Sequence, residues 1–359
     1  MSRRRSARVD KQPERREYSG RQSSGEAIAE WCASVPKAEL HLHLEGAIPV
    51  ETLLELIRKY ERHGPVRDHV DVRARMHYRD FPHFIETWLW KNRFLREYED
   101  FTLIAEAAAR YLVGQRAIYA EMFFSPTDFA GHGLATQELA QAIRAGLDRV
   151  PDVRVALVAD LVRDAGPDRA QVTLSEVAEV RELGVVGIGI GGSEHLFPPE
   201  PFRAVFARAR QMGFHTSAHA GESAGPESVW AVIRELEVER IGHATRAVED
   251  ERLLAYLAEE QIAIECCPIS NVCTGAVVSL EAHPVRRFDE LGLLVTINTD
   301  DPAMFGNTLA YEYEQLCTHL GFSRADVCRL VLNAVSASWL DRDEKARLAQ
   351  TMRSQMRGP

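Results

Sequence analysis

The sequence predicts an α/β protein of the (β/α)8 TIM-barrel class, with a helical insertion after the first strand and extra helices at the C-terminal end. Eight short apolar runs alternate with longer helical ones along the chain. Several of these runs are nearly continuous in Val, Ile and Leu, which is typical of parallel strands covered by helices on both faces. Eight such units in about 260 residues match the size of one barrel.

The eight expected strands share a short apolar run, and many of them end near a Gly, His, Asp or Pro. They are residues 38–45, 117–125, 153–161, 185–191, 214–221, 240–245, 263–269 and 294–299. Helices are expected between them at residues 137–149, 169–183, 200–212, 227–236 and 250–260. A doubly wound open sheet is the alternative, but no glycine-rich phosphate turn follows the first strand.

Two segments exceed a minimal barrel. Roughly 70 residues separate the first two strands, far more than an ordinary strand-to-helix connection. Such an insertion lies over the mouth of a barrel, so aromatic residues such as Trp88 and Trp90 either form a lid or pack the insertion's own core. The second segment, from Thr308 to the C-terminus, is expected to be helical throughout.

The N-terminal residues 1–25 differ from the rest in composition. They are rich in Arg, Ser and Gly and contain almost no large apolar residue. No apolar segment follows the arginines, so this is not a secretory signal, and a disordered basic tail is expected. Contact of the tail with RNA is the alternative. Residues 26–359 are then expected to form a single (β/α)8 barrel domain.

Charge and cysteine content narrow the function classes. The formal net charge is -10, with 43 Lys and Arg against 53 Asp and Glu, which argues against a nucleic-acid-coating protein. The six cysteines form neither a disulfide framework nor a Cys-x-x-Cys zinc pattern, so a cytoplasmic protein is expected. Because no run of about 18 apolar residues occurs, we expect no membrane span.

The first expected strand carries a His-x-His-x-Glu pattern at His41, His43 and Glu45. Residues two apart in a strand point to the same side, so two imidazoles and a carboxylate share one space. Two charged imidazoles in that space would repel each other. A shared metal ion removes this repulsion, because neutral imidazole is a good zinc ligand. Alone, the pattern is more often a pair of surface histidines on an amphipathic edge strand.

Polar residues at other strand ends strengthen the metal interpretation. His219 ends the fifth strand, His243 ends the sixth, and Asp300 follows the eighth. Three histidines and a carboxylate suit zinc, which leaves a position for water and lowers the pKa of that water to about 7. Hydrolysis also needs an acid and a base. The candidates are Glu222, His243 and Asp301, while Asp-Asp-Pro by itself is an ordinary turn.

Five motifs resemble those of the adenosine deaminase family of metal-dependent hydrolases. Their order and spacing agree over about residues 35–345, and five in order are highly specific. In chain order they are Glu39–Gly46, His219–Glu222, Ile241–His243, Cys267–Asn271 and Thr299–Pro302.

The resemblance implies one catalytic zinc ion per chain and a purine substrate. Its ligands would be His41, His43, His219 and Asp300. Glu222 would donate a proton to purine N1, and His243 would orient the water and either help remove its proton or steady the oxyanion. Asp301 would bind purine N7, the backbone N–H of Gly192 would bind N3, and His43 and Glu45 would also face the substrate. The reaction would be hydrolytic deamination of adenosine to inosine and ammonia.

Two positions depart from the pattern of adenosine deaminases. Glu45 stands where they usually carry an Asp that contacts the ribose, and Ser193 stands where they usually carry an acidic residue. Relatives that act on adenine, aminodeoxyfutalosine or N6-substituted adenine compounds therefore provide alternative substrates.

Other enzyme classes fit the motifs less well. A binuclear amidohydrolase normally needs a bridging lysine after the fourth strand, where this chain has Gly191–Ser193. The cytidine deaminase zinc fold needs a Pro-Cys-x-x-Cys motif, which is missing here. A barrel without activity, used only for binding, would have lost a ligand or the acid, whereas all the expected positions are filled.

Overall fold

The computed structural model describes residues 26–79 and 81–356, with residues 81 and 82 described by their backbone alone. The expected disordered tail, residues 1–25, lies outside the described residues. Within the described part, no helix combines the length and the apolar character needed to cross a bilayer.

Eight parallel strands form the centre of the molecule and pair in sequence order from β1 to β8. All their positions except Arg154, Ile118, Val186 and His215 are buried. The strands are β1 Lys37–His43, β2 Ala117–Phe124, β3 Arg154–Asp160, β4 Val185–Gly189, β5 His215–Ala220, β6 Arg240–His243, β7 Ala263–Cys266 and β8 Val295–Ile297. The barrel expected from the sequence is confirmed.

The sheet closes at the junction of β1 with the segment that follows β8. The N–H of His43 donates to the carbonyl of Asp300 at 2.9 Å, and the N–H of Asp300 donates to the carbonyl of His41 at 3.0 Å. Closure brings residues almost 260 positions apart in sequence into direct contact. The catalytic candidates of β1 and β8 are therefore neighbours.

Helices surround the strands because each presents an apolar stripe to the barrel. In Thr136–Leu147, for example, Leu139, Ile143 and Leu147 recur at helical spacing and are buried. The helices of the barrel wall are α6 Pro126–Ala130, α7 Thr136–Leu147, α8 Gly166–Ala178, α9 Arg203–Gln211, α10 Pro226–Ala231, α11 Glu251–Glu260, α12 Pro268–Cys273 and α13 Val285–Glu290.

The insertion and the C-terminal segment are helical, as expected. The segment before β1, residues 26–34, forms α1. Four helices lie between β1 and β2, namely α2 Val50–Tyr60, α3 His69–Met76, α4 Phe81–Asn92 and α5 Tyr98–Gly114. The C-terminal helices are α14 Pro302–Phe305, α15 Leu309–His319, α16 Arg324–Ala337 and α17 Arg342–Met356.

Every strand differs from its sequence-based bounds at one or both ends, and three of these differences affect the site. Residues 268 and 269 belong to α12 rather than β7, because Pro268 occupies the first turn of that helix, where a missing N–H costs nothing. Glu45 lies in a 3-10 turn, Glu45–Ala47, rather than in β1. Asp300 adopts a positive φ of 66° after the short β8, so the chain turns sharply there.

Candidate functional site

Three imidazoles and one carboxylate converge at the C-terminal ends of β1, β5 and β8. Nε2 of His43 lies 3.2 Å from Nε2 of His219 and 3.3 Å from Oδ1 of Asp300. Nε2 of His41 lies 3.5 Å from the same Oδ1. Ligand atoms bonded to zinc at about 2.0–2.1 Å in a tetrahedron lie about 3.4 Å apart. These separations therefore match the edges of a zinc-ligand tetrahedron.

A second selection of four residues also meets the distance requirement for a metal. One ligand atom each from His41, His219, His243 and Asp300 lie within 4.8 Å of one another. His43 and His243 thus compete for the fourth position. The shorter contacts of His43 favour it, because they have the length of a tetrahedral edge.

The electrostatics of the centre favour a bound cation, with two of the imidazoles held neutral by burial. Burial lowers the pKa of His43 to about 4 and lowers that of His219 well below its usual value. Burial alone would also lower the pKa of His41, but the nearby carboxylates of Asp300 and Glu265 raise it to about 10. The buried Nε2 of His41 has no hydrogen-bond partner among the described residues. Positive charge is therefore stabilised where this nitrogen points.

A buried ionic network below the centre fixes the orientation of His41. Nδ1 of His41 lies 2.7 Å from the carboxylate of Glu265, which also accepts from Arg240 at 2.6 Å. Arg240 forms a second ion pair with Glu121 and lies 3.6 Å from the ring centroid of Trp339. A carboxylate at the outer nitrogen holds a histidine in the tautomer that directs Nε2 toward a metal.

The backbone at two of these positions is strained. His243 has a φ of 64° and Asp300 a φ of 66°, in the left-handed region that costs a non-glycine residue about 1–3 kcal/mol. Ser270 donates to Oδ2 of Asp300 at 2.7 Å, so the other oxygen is left to face His43. The surrounding contacts maintain a conformation that directs both side chains into the centre.

A cavity opens above the centre and contains most of the predicted site residues. Its lining includes His43, Gly192, His219, Glu222, His243, Asp300 and Asp301. His41 is fully buried beneath it. The structure therefore brings the proposed ligands, the proposed acid and both Asp residues together.

Glu222 lies across the cavity from the centre. Its Oε2 is 3.6 Å from Nε2 of His243, and Thr274 donates to its Oε1 at 3.2 Å. Burial raises the pKa of Glu222. A carboxyl group beside a cavity whose pKa is raised holds its proton to higher pH and is better suited to general acid catalysis.

Glu194 was missed by sequence reasoning, although it follows the glycine-rich end of β4. Its Oε1 accepts from the N–H of Gly221 at 2.5 Å. Its Oε2 accepts from the N–H groups of Glu222, Ser223 and Ala224 at 3.1, 2.8 and 3.1 Å. One buried carboxylate thus holds the loop from which the Glu222 side chain extends.

Glu45 was predicted to face the substrate, but it does not line the cavity. Its carboxylate is buried and accepts from the N–H of Ser125 at 3.1 Å. Burial raises its pKa to about 7. Gly192 does line the cavity, with a φ of 99°, and a Cβ there would lie 2.1 Å from Oδ2 of Asp164. Only glycine therefore fits this position without displacing Asp164.

Two further residues that were assigned no catalytic role approach His243. Asn271 of α12 contacts Nδ1 of His243, and His283 contacts Asn271. Asn271 belongs to one of the five motifs, which was the only available signal. His283 lies 40 residues after His243, and nothing local in the sequence connects the two.

Aromatic residues cover part of the mouth of the cavity. Phe84 and Trp88 of α4 line it together with Phe305, and the rings of Phe84 and Phe305 stack with centroids 5.6 Å apart. Trp90 instead packs against Phe94. The insertion therefore provides both an aromatic cover and a core of its own.

Comparisons with known proteins agree with this geometry. The family model described as "Adenosine deaminase" matches residues 36–355. The chain is 35% identical over 338 residues to an aminodeoxyfutalosine deaminase of Streptomyces avermitilis, covering 91% of this chain and 92% of that protein. It is 36% identical over 328 residues to an adenosine deaminase of Klebsiella pneumoniae, covering 89% and 98%.

Solved structures show the same fold. An adenine deaminase from Arthrobacter aurescens superposes with a TM-score of 0.84 and 29% identity, covering 90% of this chain and all of that one. An amidohydrolase from Burkhoderia ambifaria with bound Zn gives a TM-score of 0.84 and 27% identity, covering 91% and 92%. The chain therefore belongs to the adenosine deaminase family and is an adenosine deaminase-like aminohydrolase.

Proposed function

We propose that this chain is a zinc-dependent deaminase that converts adenosine and water into inosine and ammonia. The observation that carries this proposal is the convergence of three imidazole nitrogens and a carboxylate oxygen across one cavity from Glu222. A metal-ligand set opposite a carboxyl group that can act as an acid is what hydrolysis at a purine carbon requires.

The residues present fit a single zinc ion. Nε2 of His41, Nε2 of His43, Nε2 of His219 and Oδ1 of Asp300 would hold it, and the orphaned Nε2 of His41 would gain its missing partner. A zinc ion bound there supplies a water molecule whose pKa is about 7 and which can attack at neutral pH. No lysine follows β4, which favours one metal over two.

Glu222 is assigned the role of general acid. Its raised pKa favours the protonated carboxyl, which would give its proton to purine N1 and make C6 electrophilic. It then takes a proton from the attacking water, whose oxygen bonds to C6. The remaining proton of that oxygen passes to the amino nitrogen, the C6–N6 bond breaks, and ammonia leaves. The protons balance, and Glu222 ends as it began.

Asp301 and Gly192 are assigned to the purine ring. Burial, and then the charge of the adjacent Asp300, raise the pKa of Asp301, which favours the protonated carboxyl that would donate to the acceptor N7. Oδ1 of Asp301 has no hydrogen-bond partner among the described residues. The backbone N–H of Gly192, on the cavity wall, is assigned to N3. His43 and Glu45 are the remaining substrate candidates, and Glu45 could act only after a rearrangement.

Related adenine compounds are the alternative substrates. Glu45 turns toward Ser125, so it does not reproduce the ribose contact expected of an adenosine deaminase. Ser193 donates to Asp164 at 2.6 Å and does not supply the usual acidic group. Relatives named as aminodeoxyfutalosine deaminase and adenine deaminase match nearly the whole chain. Deamination at C6 of the purine ring is the reaction common to adenosine, adenine and aminodeoxyfutalosine as substrates.

The proposal is tested by measuring ammonia release from adenine, adenosine, 5′-substituted adenosines and N6-methylated analogues. We expect deamination of adenosine, with about one zinc ion per chain by metal analysis. Glu222→Gln should lower kcat by about 1,000-fold while retaining zinc, whereas His219→Ala should lose the metal. Absence of activity on every adenine compound, or two metal ions per chain, contradicts the proposal.

We also assign the protein to the cytoplasm. All six cysteines, including the adjacent Cys266 and Cys267, are free thiols in the structure. Free thiols are usual in reducing compartments. The small purine substrate needs neither a membrane nor a nucleic acid as a partner.

A further inference from the structure

A chain of three hydrogen bonds connects the start of α13 to His243. The N–H of Val285 donates to Nδ1 of His283 at 3.1 Å. Nε2 of His283 lies 3.1 Å from Oδ1 of Asn271, and Nδ2 of Asn271 lies 3.0 Å from Nδ1 of His243. The three side chains are at least 97% buried, so water does not compete for these contacts.

The direction of every hydrogen bond in this chain follows from its first member. A backbone N–H can only donate, so Nδ1 of His283 accepts, and its ring proton is on Nε2. That proton is donated to Oδ1 of Asn271, which turns the amide NH2 of Asn271 toward His243. Nδ1 of His243 therefore accepts. Burial, which lowers the pKa of His283 to about 3, keeps its ring neutral.

His41 shows the opposite arrangement at the same centre. Its Nδ1 faces the carboxylate of Glu265 at 2.7 Å, which can only accept, so the ring proton lies there and Nε2 keeps its lone pair. The outer partner of each ring thus determines what its inner nitrogen can do. The acceptor at Nδ1 of His41 leaves Nε2 of that ring free to bind a metal. The donor at Nδ1 of His243 leaves Nε2 of that ring protonated, so this nitrogen donates a hydrogen bond.

We propose that Asn271 and His283 are positioning residues that hold His243 in the Nε2-protonated tautomer. His243 then neither binds the metal nor removes a proton from water. It donates a hydrogen bond from Nε2 into the cavity, where negative charge develops on the oxygen that adds to C6. This catalytic consequence depends on the proposed function, whereas the tautomer itself does not.

Because His243 acts only as a hydrogen-bond donor, Glu222 is the residue that transfers protons. Oε2 of Glu222 lies 3.6 Å from Nε2 of His243, so both groups face the same part of the cavity. After Glu222 has protonated N1, its carboxylate is the acceptor for the proton that the water loses. The tautomer also settles the competition for the fourth metal position in favour of His43, because a protonated nitrogen cannot be a ligand.

The tautomer can be measured directly by ¹⁵N NMR of the zinc-loaded protein with labelled histidine rings and no substrate. The ring signals of His243 are assigned from their loss in His243→Gln. We expect Nε2 of His243 to be protonated and Nδ1 to be unprotonated. In Asn271→Asp, a carboxylate acceptor faces Nδ1, and the proton should move to Nδ1. A proton on Nδ1 of His243 in the wild-type protein overturns the proposal.

The contribution of His283 is tested with a pair of variants. His283→Gln keeps an amide donor for Asn271, whereas His283→Leu removes it. We expect His283→Leu to lower kcat about 10–100-fold and to mix the two tautomers of His243, with zinc content unchanged. KM should change less than about threefold, and His283→Gln should remain within about threefold of wild type in kcat. The same two replacements at the exposed His195 serve as controls.

Equal losses of kcat in both His283 variants, with the His243 tautomer unchanged, would show a merely structural role and overturn the proposal. Absence of deaminase activity in the wild type, with the expected tautomer observed, would instead contradict only the proposed function. The two failures are therefore distinguishable.

Discussion

Replacing Glu194 by glutamine removes the negative charge that holds the loop carrying Glu222. The carboxylate accepts hydrogen bonds from four consecutive backbone N–H groups, those of residues 221–224, and is 95% buried. Glutamine has nearly the same shape, but it has one acceptor oxygen, and its NH2 group meets a backbone donor.

The expected loss of stability follows from these contacts. A hydrogen bond to a charged acceptor contributes about 1 kcal/mol more than one to a neutral acceptor, and three bonds to Oε2 lose that difference. The N–H of Gly221, left facing an NH2 group, adds about 1–3 kcal/mol. The energy contributions of four hydrogen bonds to one side chain are not additive, so we expect the free energy of unfolding to fall by about 3 kcal/mol. Displacement of Glu222 by about 1 Å should also lower kcat about 10–100-fold.

Urea unfolding and steady-state kinetics of the zinc-loaded protein measure the two effects. Glu200→Gln is the matched control, because Glu200 is exposed on the same connection and forms no side-chain hydrogen bond among the described residues. An unfolding free energy within about 0.5 kcal/mol of wild type, the range of an ordinary surface substitution, together with an unchanged kcat, would refute the reasoning.

Three further predictions concern the same site. A Cβ at Gly46 would lie 1.8 Å from Oδ1 of Asp301, so Gly46→Ala should lower kcat/KM for adenosine at least about tenfold by displacing Asp301; an unchanged value contradicts its role at the purine. Because burial raises the pKa of Glu222, its proton persists to higher pH, and kcat/KM should fall as pH rises through that pKa; a profile without this alkaline limb contradicts the acid role. Chelation should lower Tm, and added zinc should restore it, because a ligand of the folded state stabilises that state; a Tm unaffected by chelation contradicts the metal site.

The sequence was sufficient to predict the barrel because its signal is local. Each strand is a short apolar run and each wall helix has an apolar stripe, so element type can be read within about ten residues. The bounds were less reliable where a turn competes with a strand. At Cys267 and Pro268 the apolar run continues, but Pro268 begins a helix, which the pattern alone does not reveal.

Glu45 shows where local periodicity fails. Alternation places His41, His43 and Glu45 on one face, provided that the strand continues through all three. The strand ends at His43, and the turn at Glu45–Ala47 carries the third side chain to Ser125 instead. The pattern correctly brought two histidines together but could not show that the third residue leaves their face.

The sequence by itself determined the element order, the residue types of the candidate ligands and their positions at strand ends, since these depend on residue identity and local periodicity. Only the tertiary structure determined which residue contacts the outer nitrogen, Nδ1, of His41 and of His243. Glu265 behind His41 is 224 residues away along the chain, and the chain of contacts behind His243 passes through Asn271 to His283. Barrel closure creates these contacts, and a ring nitrogen's proton is placed by its neighbours in space rather than in sequence.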